Sequence, residues 1–152
     1  MISLKNILCP VDHSDCSKEA LKYAVSFAMK EKAKLSLLHV IDIRTFDESI
    51  DSLTNPMLDD EIIKQMKSKL IDCVPKEIRN DMEIEALVVP GIPFSEIIST
   101  AKNNKVDIIV MGTHGRTGIA HIMLGSVSEK VVRKAPCPVL TVRQPGHKFV
   151  MP

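Results

Sequence analysis

Val106-Asp-Ile-Ile-Val-Met-Gly112-Thr-His-Gly115-Arg-Thr-Gly118, followed after six intervening residues by Gly125-Ser126-Val-Ser-Glu129, is an apolar run that passes through a glycine-rich loop into a helical pattern. Four of the chain's six glycines fall in this passage. Without a Cβ, Gly112 and Gly115 are free to take positive φ and to let peptide N–H groups converge on an anion. The helix opening near Ser126 adds its unsatisfied N-terminal donors and its dipole. The layout predicts a phosphate site at a strand-to-helix passage. A P-loop needs Gly-x4-Gly-Lys-Ser/Thr and a dinucleotide fingerprint needs Gly-x-Gly-x-x-Gly beside the first strand. The chain has neither.

Outward from this passage, strand and helix signals alternate as in a parallel α/β sheet. Residues 6–11 read as strand 1. Asp12-His-Ser-Asp-Cys-Ser17 supplies capping side chains, after which Ala20, Leu21, Ala24, Val25, Phe27 and Ala28 recur at helical spacing until about Lys32. Residues 35–41 read as strand 2 and 43–57 as a polar loop. Ile62, Ile63, Met66, Leu70 and Ile71 mark a helix over 59–73, stopped before Pro75. Strand 3 covers 83–89, with Ile84, Ala86 and Val88 on one side, and Pro90-Gly91 ends it. Pro93 fits the first turn of a third helix that carries Ile97, Ile98 and Ala101. Residues 106–111 and 139–143 are strands 4 and 5. Between them Ser126-Val-Ser-Glu129 has the form of a capping box, and Val127, Val131 and Val132 give the fourth helix its inward face.

At 152 residues the chain fits one domain, 1–152, with 144–152 as a flexible or dimer-contacting tail. Apolar residues make up 45% but aromatics only 3%, so the core is built from aliphatic side chains, which suits a buried parallel sheet. A formal net charge of +1, with charges dispersed, disfavours nucleic acid and anionic membrane surfaces as partners. No apolar run approaches the roughly 20 residues that span a bilayer. The expectation is a cytoplasmic protein. Cys9, Cys16, Cys73 and Cys137 form no C-x-x-C pair, which removes the usual zinc and thioredoxin spacings. They read as thiols in a reducing compartment, with Cys16, near a helix start, the one to test for reactivity.

Gly112-x2-Gly115-x9-Gly125-Ser126 resembles the ATP-binding signature of the universal stress protein family. The resemblance extends over nearly the whole chain, through Pro10-Val11-Asp12, Leu37-Leu38-His39-Val40-Ile41-Asp42, Gly91-Ile92-Pro93 and Pro136-Cys137-Pro138-Val139-Leu140-Thr141-Val142 in order. It implies a Rossmann-like fold of the adenine nucleotide alpha-hydrolase type, with a five-stranded parallel sheet in the order 3-2-1-4-5 and helices on both faces. Ligands of such sheets lie at the switch point between strands 1 and 4. The resemblance further implies that Asp12 meets the ribose or adenine, that Val11 and Val40 line the adenine slot with backbone contacts, and that Pro10 and Met111 belong to the same nucleotide site. Gly112, Gly115, Gly125, Ser126, Val127 and Ser128 would hold the phosphates. A homodimer through strand 5, Val139 to Val142, is also implied. Gly118 departs from the motif and would make the loop more mobile.

Several of these residues carry a second reading. Asp12 has a second reading as a helix cap only, and Ser126 as the capping-box residue only. His114 and Arg116 either neutralise phosphate or stand solvated. His39, between Leu38 and Val40, reads as a packed, hydrogen-bonded histidine, and His13, His121 and His147 lack metal-ligand spacing. Hydrolysis needs an oriented water and charge stabilisation, and the loop offers only Arg116 and His114. The expected function is therefore an adenine-nucleotide-binding stress-response or signalling module with an unknown protein effector and at most slow ATP hydrolysis. Its ligand is ATP, or AMP or ADP, with Mg²⁺ or Mn²⁺ held mainly by phosphates. The alternatives are a nucleotide alpha-hydrolase or adenylyl-transfer enzyme on the same sheet, and an apo scaffold.

Overall fold

The computed structural model describes residues 1–45, 59–114 and 124–144. Strands β1 (Asn6–Pro10), β2 (Lys34–Asp42), β3 (Ile84–Gly91), β4 (Ile108–Gly112) and β5 (Val139–Val142) form one parallel sheet in the order β3-β2-β1-β4-β5. The helices are α1 (Asp15–Glu31), α2 (Asp60–Asp72), α3 (Pro93–Asn103) and α4 (Ser126–Lys134). The expected strand order is thus observed, with the switch point between β1 and β4.

Alternation of side chains along each strand divides the apolar residues into two layers. Ile7, Cys9, Leu35, Leu37, Val88 and Val110 pack with Ala20, Leu21, Ala24 and Ala28 of α1 and Leu70 of α2. Leu8, Leu38, Ile109 and Met111 face the other way, onto Ile97 and Ala101 of α3 and Val131 of α4. The small residues on α1 let it lie close over the sheet centre. Ile84, Ala86 and Val88 share the first layer, as their spacing predicts. On the other face, Lys130 Nζ of α4 stands 4.7 Å from the Phe94 ring centroid of α3, a cation–π contact that braces the two helices.

Local chemistry sets the element ends. Ser14 caps α1, its side chain accepting from the Ser17 amide, and Asp59 caps α2 by accepting from Glu61. Lys32 takes a left-handed turn at φ 53° and returns its N–H to Ala28, closing α1. Asp107 Oδ2 accepts from the amides of Lys5 and Asn6 at 2.7 and 2.8 Å, tying the start of β1 to the approach of β4.

Two boundaries correct the sequence reading. β3 does not stop before Pro90-Gly91: Ile41 pairs with Pro90 and Asp42 with Gly91. β3 is an edge strand, so a residue without an N–H costs it no ladder bond when that position faces outward. The capping box at Ser126 is also absent. Gly125 is the N-cap, with no side-chain cap bond, and Ser126 is already helical. Glu129 instead lies beside Arg133, 3.2 Å away. Of the segment read as a polar loop, Ile43–Thr45 is a short 3-10 turn, and the rest lies outside the described residues, as does most of the tail.

Candidate functional site

The carboxyl ends of β1, β2 and β4 and the N-terminus of α4 enclose a crevice of about 440 Å³. Eleven residues expected from the sequence line it: Pro10, Val11, Asp12, Val40, Met111, Gly112, His114, Gly125, Ser126, Val127 and Ser128. The other two, Gly115 and Arg116, lie outside the described residues, with Gly118 and His121. Residues far apart in the chain thus converge at the switch point, because parallel strands end on one side of the sheet.

On the β4 side the geometry is held from behind. Ser128 Oγ, on a residue only 3% exposed, donates to the Gly112 carbonyl at 2.8 Å. Gly125 N–H donates to the Thr113 carbonyl at 2.7 Å, and Thr113 N–H to the Val142 carbonyl at 2.9 Å. These bonds fasten α4 to the end of β4 and leave the amides of Ser126, Val127 and Ser128 in the first helical turn, where no intrahelical acceptor exists for them. Thr113 Oγ1 lies 3.0 Å from His114 Nδ1.

Gly112 has a different reason from the one its motif suggests. Its φ is not positive; among the described glycines only Gly91, at 156°, has that conformation. A Cβ on Gly112 would lie 2.7 Å from Cys16 Cβ and 2.8 Å from the Cys16 carbonyl carbon. The residue is glycine because the first turn of α1 crosses it. The same contact explains Cys16, which is 7% exposed and packed against β4 and not presented to solvent.

On the β1 side, Asp12 does not cap α1 directly. Its Oδ1 accepts from Ser14 N at 3.0 Å and Ser14 Oγ at 2.5 Å, and Ser14 Oγ in turn accepts from Ser17 N at 3.2 Å. The carboxylate orients the cap from the crevice wall. His13 takes φ 65° as the chain leaves β1. His39, 8% exposed, is hydrogen-bonded as expected: its Nδ1 lies 2.8 Å from the Val11 carbonyl.

Asp42 and Arg44, which the sequence did not single out, also line the crevice. Arg44 Nε and its terminal nitrogen donate to the two Asp42 oxygens at 2.8 and 2.6 Å, a two-pronged contact that raises the guanidinium pKa. The i, i+2 spacing across the end of a strand was the available signal. Among the described residues no group of three His, Cys, Asp or Glu is placed to hold a metal ion. None of their helices is long and apolar enough to cross a membrane.

The profile of the universal stress protein family matches residues 3–143. Universal stress protein MJ0531 of Methanocaldococcus jannaschii is 36% identical over 142 residues, which cover 93% of this chain and 83% of that protein. Universal stress protein MJ0577 of the same organism is 33% identical over 94% of this chain and 97% of its own. The solved structure of MJ0577 superposes with a TM-score of 0.81 at 36% identity, covering 95% of this chain and 99% of that one. A universal stress protein from Archaeoglobus fulgidus, solved in complex with dAMP, shares the fold at a TM-score of 0.62 and 22% identity, over 93% and 99% of the two chains. With fold, motif order and sequence in agreement over nearly its full length, the chain belongs to the universal stress protein family.

Proposed function

We propose that the crevice binds an adenine nucleotide, ATP or its di- or monophosphate, and that the chain acts as a nucleotide-dependent stress-response or signalling module. The observation that carries this reading is the convergence of two complementary ends in one crevice of about 440 Å³. At one end the first amides of α4 offer donors and a positive helix terminus to phosphate. At the other, Val11, Val40 and Met111 offer an apolar slot, with the Asp12 carboxylate placed to accept from ribose hydroxyls. The dAMP complex of the Archaeoglobus fulgidus protein supports the capacity of this fold for such a ligand. Gly115, Arg116 and His114 complete the phosphate end in this reading. Mg²⁺ or Mn²⁺ would be held chiefly by phosphate oxygens.

Binding is favoured over turnover because no described carboxylate of the phosphate end stands as a base for an attacking water. All four cysteines carry free thiols, which suits action in the reducing cytoplasm. β5 ends the sheet, and Val139–Val142 pairing with a second copy would cover that edge. Mass spectrometry of the small molecule that copurifies tests the reading: an adenine nucleotide is expected. Rapid phosphate or pyrophosphate release from ATP and Mg²⁺ would overturn the binding role in favour of a nucleotide alpha-hydrolase or adenylyl-transfer enzyme. No effect of ATP on melting temperature would point to an apo scaffold.

A further inference from the structure

β2 directs its main-chain groups alternately at its two neighbours. Lys34 N–H donates to Lys5 and Val11 N–H donates to Leu38, both at 2.8 Å, so even-numbered residues of β2 face β1. Leu35 N–H donates to Glu83 at 2.8 Å, so odd-numbered residues face β3. By this alternation Val40 directs its N–H and C=O towards β1, one rung past the Val11–Leu38 bond. The next rung would join Val40 N–H to the Val11 carbonyl. That carbonyl is instead 2.8 Å from His39 Nδ1. Because a carbonyl only accepts, Nδ1 carries the proton and donates. The His39 ring is buried and lies 5.3 Å, centroid to centroid, from the His13 ring, where the chain has turned away from β2.

We propose that His39 is a positioning residue for the base: by engaging the Val11 carbonyl it keeps the Val40 N–H open to the crevice, beside the Val40 C=O, so that the two form an adjacent donor and acceptor. This inference rests on the nucleotide reading above. Adenine presents a ring-nitrogen acceptor beside its N6 amino donor, the complement of that pair. Guanine presents the O6 carbonyl where adenine has the amino group, and would set two acceptors against each other at the Val40 carbonyl. Without the imidazole, the Val11 carbonyl can take the Val40 N–H, extending the ladder and closing the base edge.

The test is calorimetric titration of ATP and GTP into wild type, His39→Leu, His39→Asn and His39→Gln. Asn places an amide nitrogen near the position of Nδ1, whereas Gln reaches the position of Nε2. Wild type is expected to prefer ATP. His39→Leu and His39→Gln should lose about tenfold in ATP affinity with little change for GTP, and His39→Asn should stay within about threefold of wild type, on the scale of a single hydrogen bond. If His39→Leu fails to fold, the Asn–Gln contrast carries the result. Equal losses for ATP and GTP, or equal behaviour of Asn and Gln, would overturn the proposal while leaving nucleotide binding intact. A wild type that binds no adenine nucleotide would overturn the underlying reading as well.

Discussion

The β4–α4 side of the crevice presents main-chain groups that are held in place by side chains buried behind them. The β1–β2 side presents side chains that hold main-chain groups at the strand ends. At the first, Ser128 and the Thr113 peptide fasten a helix start to a strand end, and α1 fills the space behind Gly112. At the second, Asp12 and His39 each occupy a main-chain partner, the Ser14 amide and the Val11 carbonyl. The difference assigns glycine two roles within one motif. Gly112 is a packing glycine, whereas Gly115, beyond the strand end, is left as the approach glycine of the proposed phosphate end.

Two substitutions separate these roles. Gly115→Val should cut ATP affinity by about 100-fold or more by blocking the anion's approach, with the melting temperature nearly unchanged. Gly112→Ala should do the reverse in order of effect. Its Cβ meets Cys16 at 2.7 Å, so α1 must shift, at a cost of about 2 kcal/mol and about 5 °C in melting temperature. Thermal melts of both variants with and without ATP check the pair. A Gly115→Val protein that retains ATP affinity, or a Gly112→Ala protein as stable as wild type, breaks the distinction.

Much of the fold was legible because the local signals agree with one another. The 106–111 run, the Ile63, Met66, Leu70 spacing and the Ile84, Ala86, Val88 alternation each mark an element whose burial matches its pattern. The site was legible as a set of residues, since motif positions at strand ends must meet wherever parallel strands finish. The reasons for those residues were less so. Nothing within the glycine motif shows that Cys16 of a distant helix abuts Gly112. Nor does the sequence place His39 Nδ1 on a carbonyl at the end of β1, because that contact depends on register between strands. Asp42 and Arg44 escaped notice for the same reason, as their value to the crevice emerges only once β2 is seen to outrun β1.

The clasp behind α4 gives a smaller effect than the glycines. Ser128→Ala removes a buried donor and leaves the Gly112 carbonyl without that bond, at a cost of about 1–2 kcal/mol in urea denaturation. Nucleotide affinity should fall alongside, by severalfold, because the first-turn amides lose their anchor. Ser128→Thr, which keeps the hydroxyl, should recover the affinity. A Ser128→Ala protein with weakened binding but unchanged stability would place the hydroxyl on the phosphate and not on Gly112.

Beneath the β1 side, Cys9 offers a test of how well that wall is sealed. Burial, and secondarily Cys73, pushes its thiol from 9.0 up to about 12. The folded state therefore favours the neutral thiol more than the unfolded chain does. That contribution is fully present below pH 9 and declines as pH rises towards the folded value, because the unfolded state then releases a proton that the folded state keeps. Cys9→Ala removes this titration but also a well-packed sulfur, so wild type should be the more stable at about pH 8, by about 1 kcal/mol. The gap should then narrow by about 2 kcal/mol on going to about pH 10.5, enough to reverse the order of the two proteins. Urea midpoints of both proteins across this range measure the difference free of the lysine and tyrosine titrations they share. A gap that stays constant would mean that the folded chain does not hold Cys9 neutral, and that water reaches the layer between β1 and α1 far more readily than its burial implies.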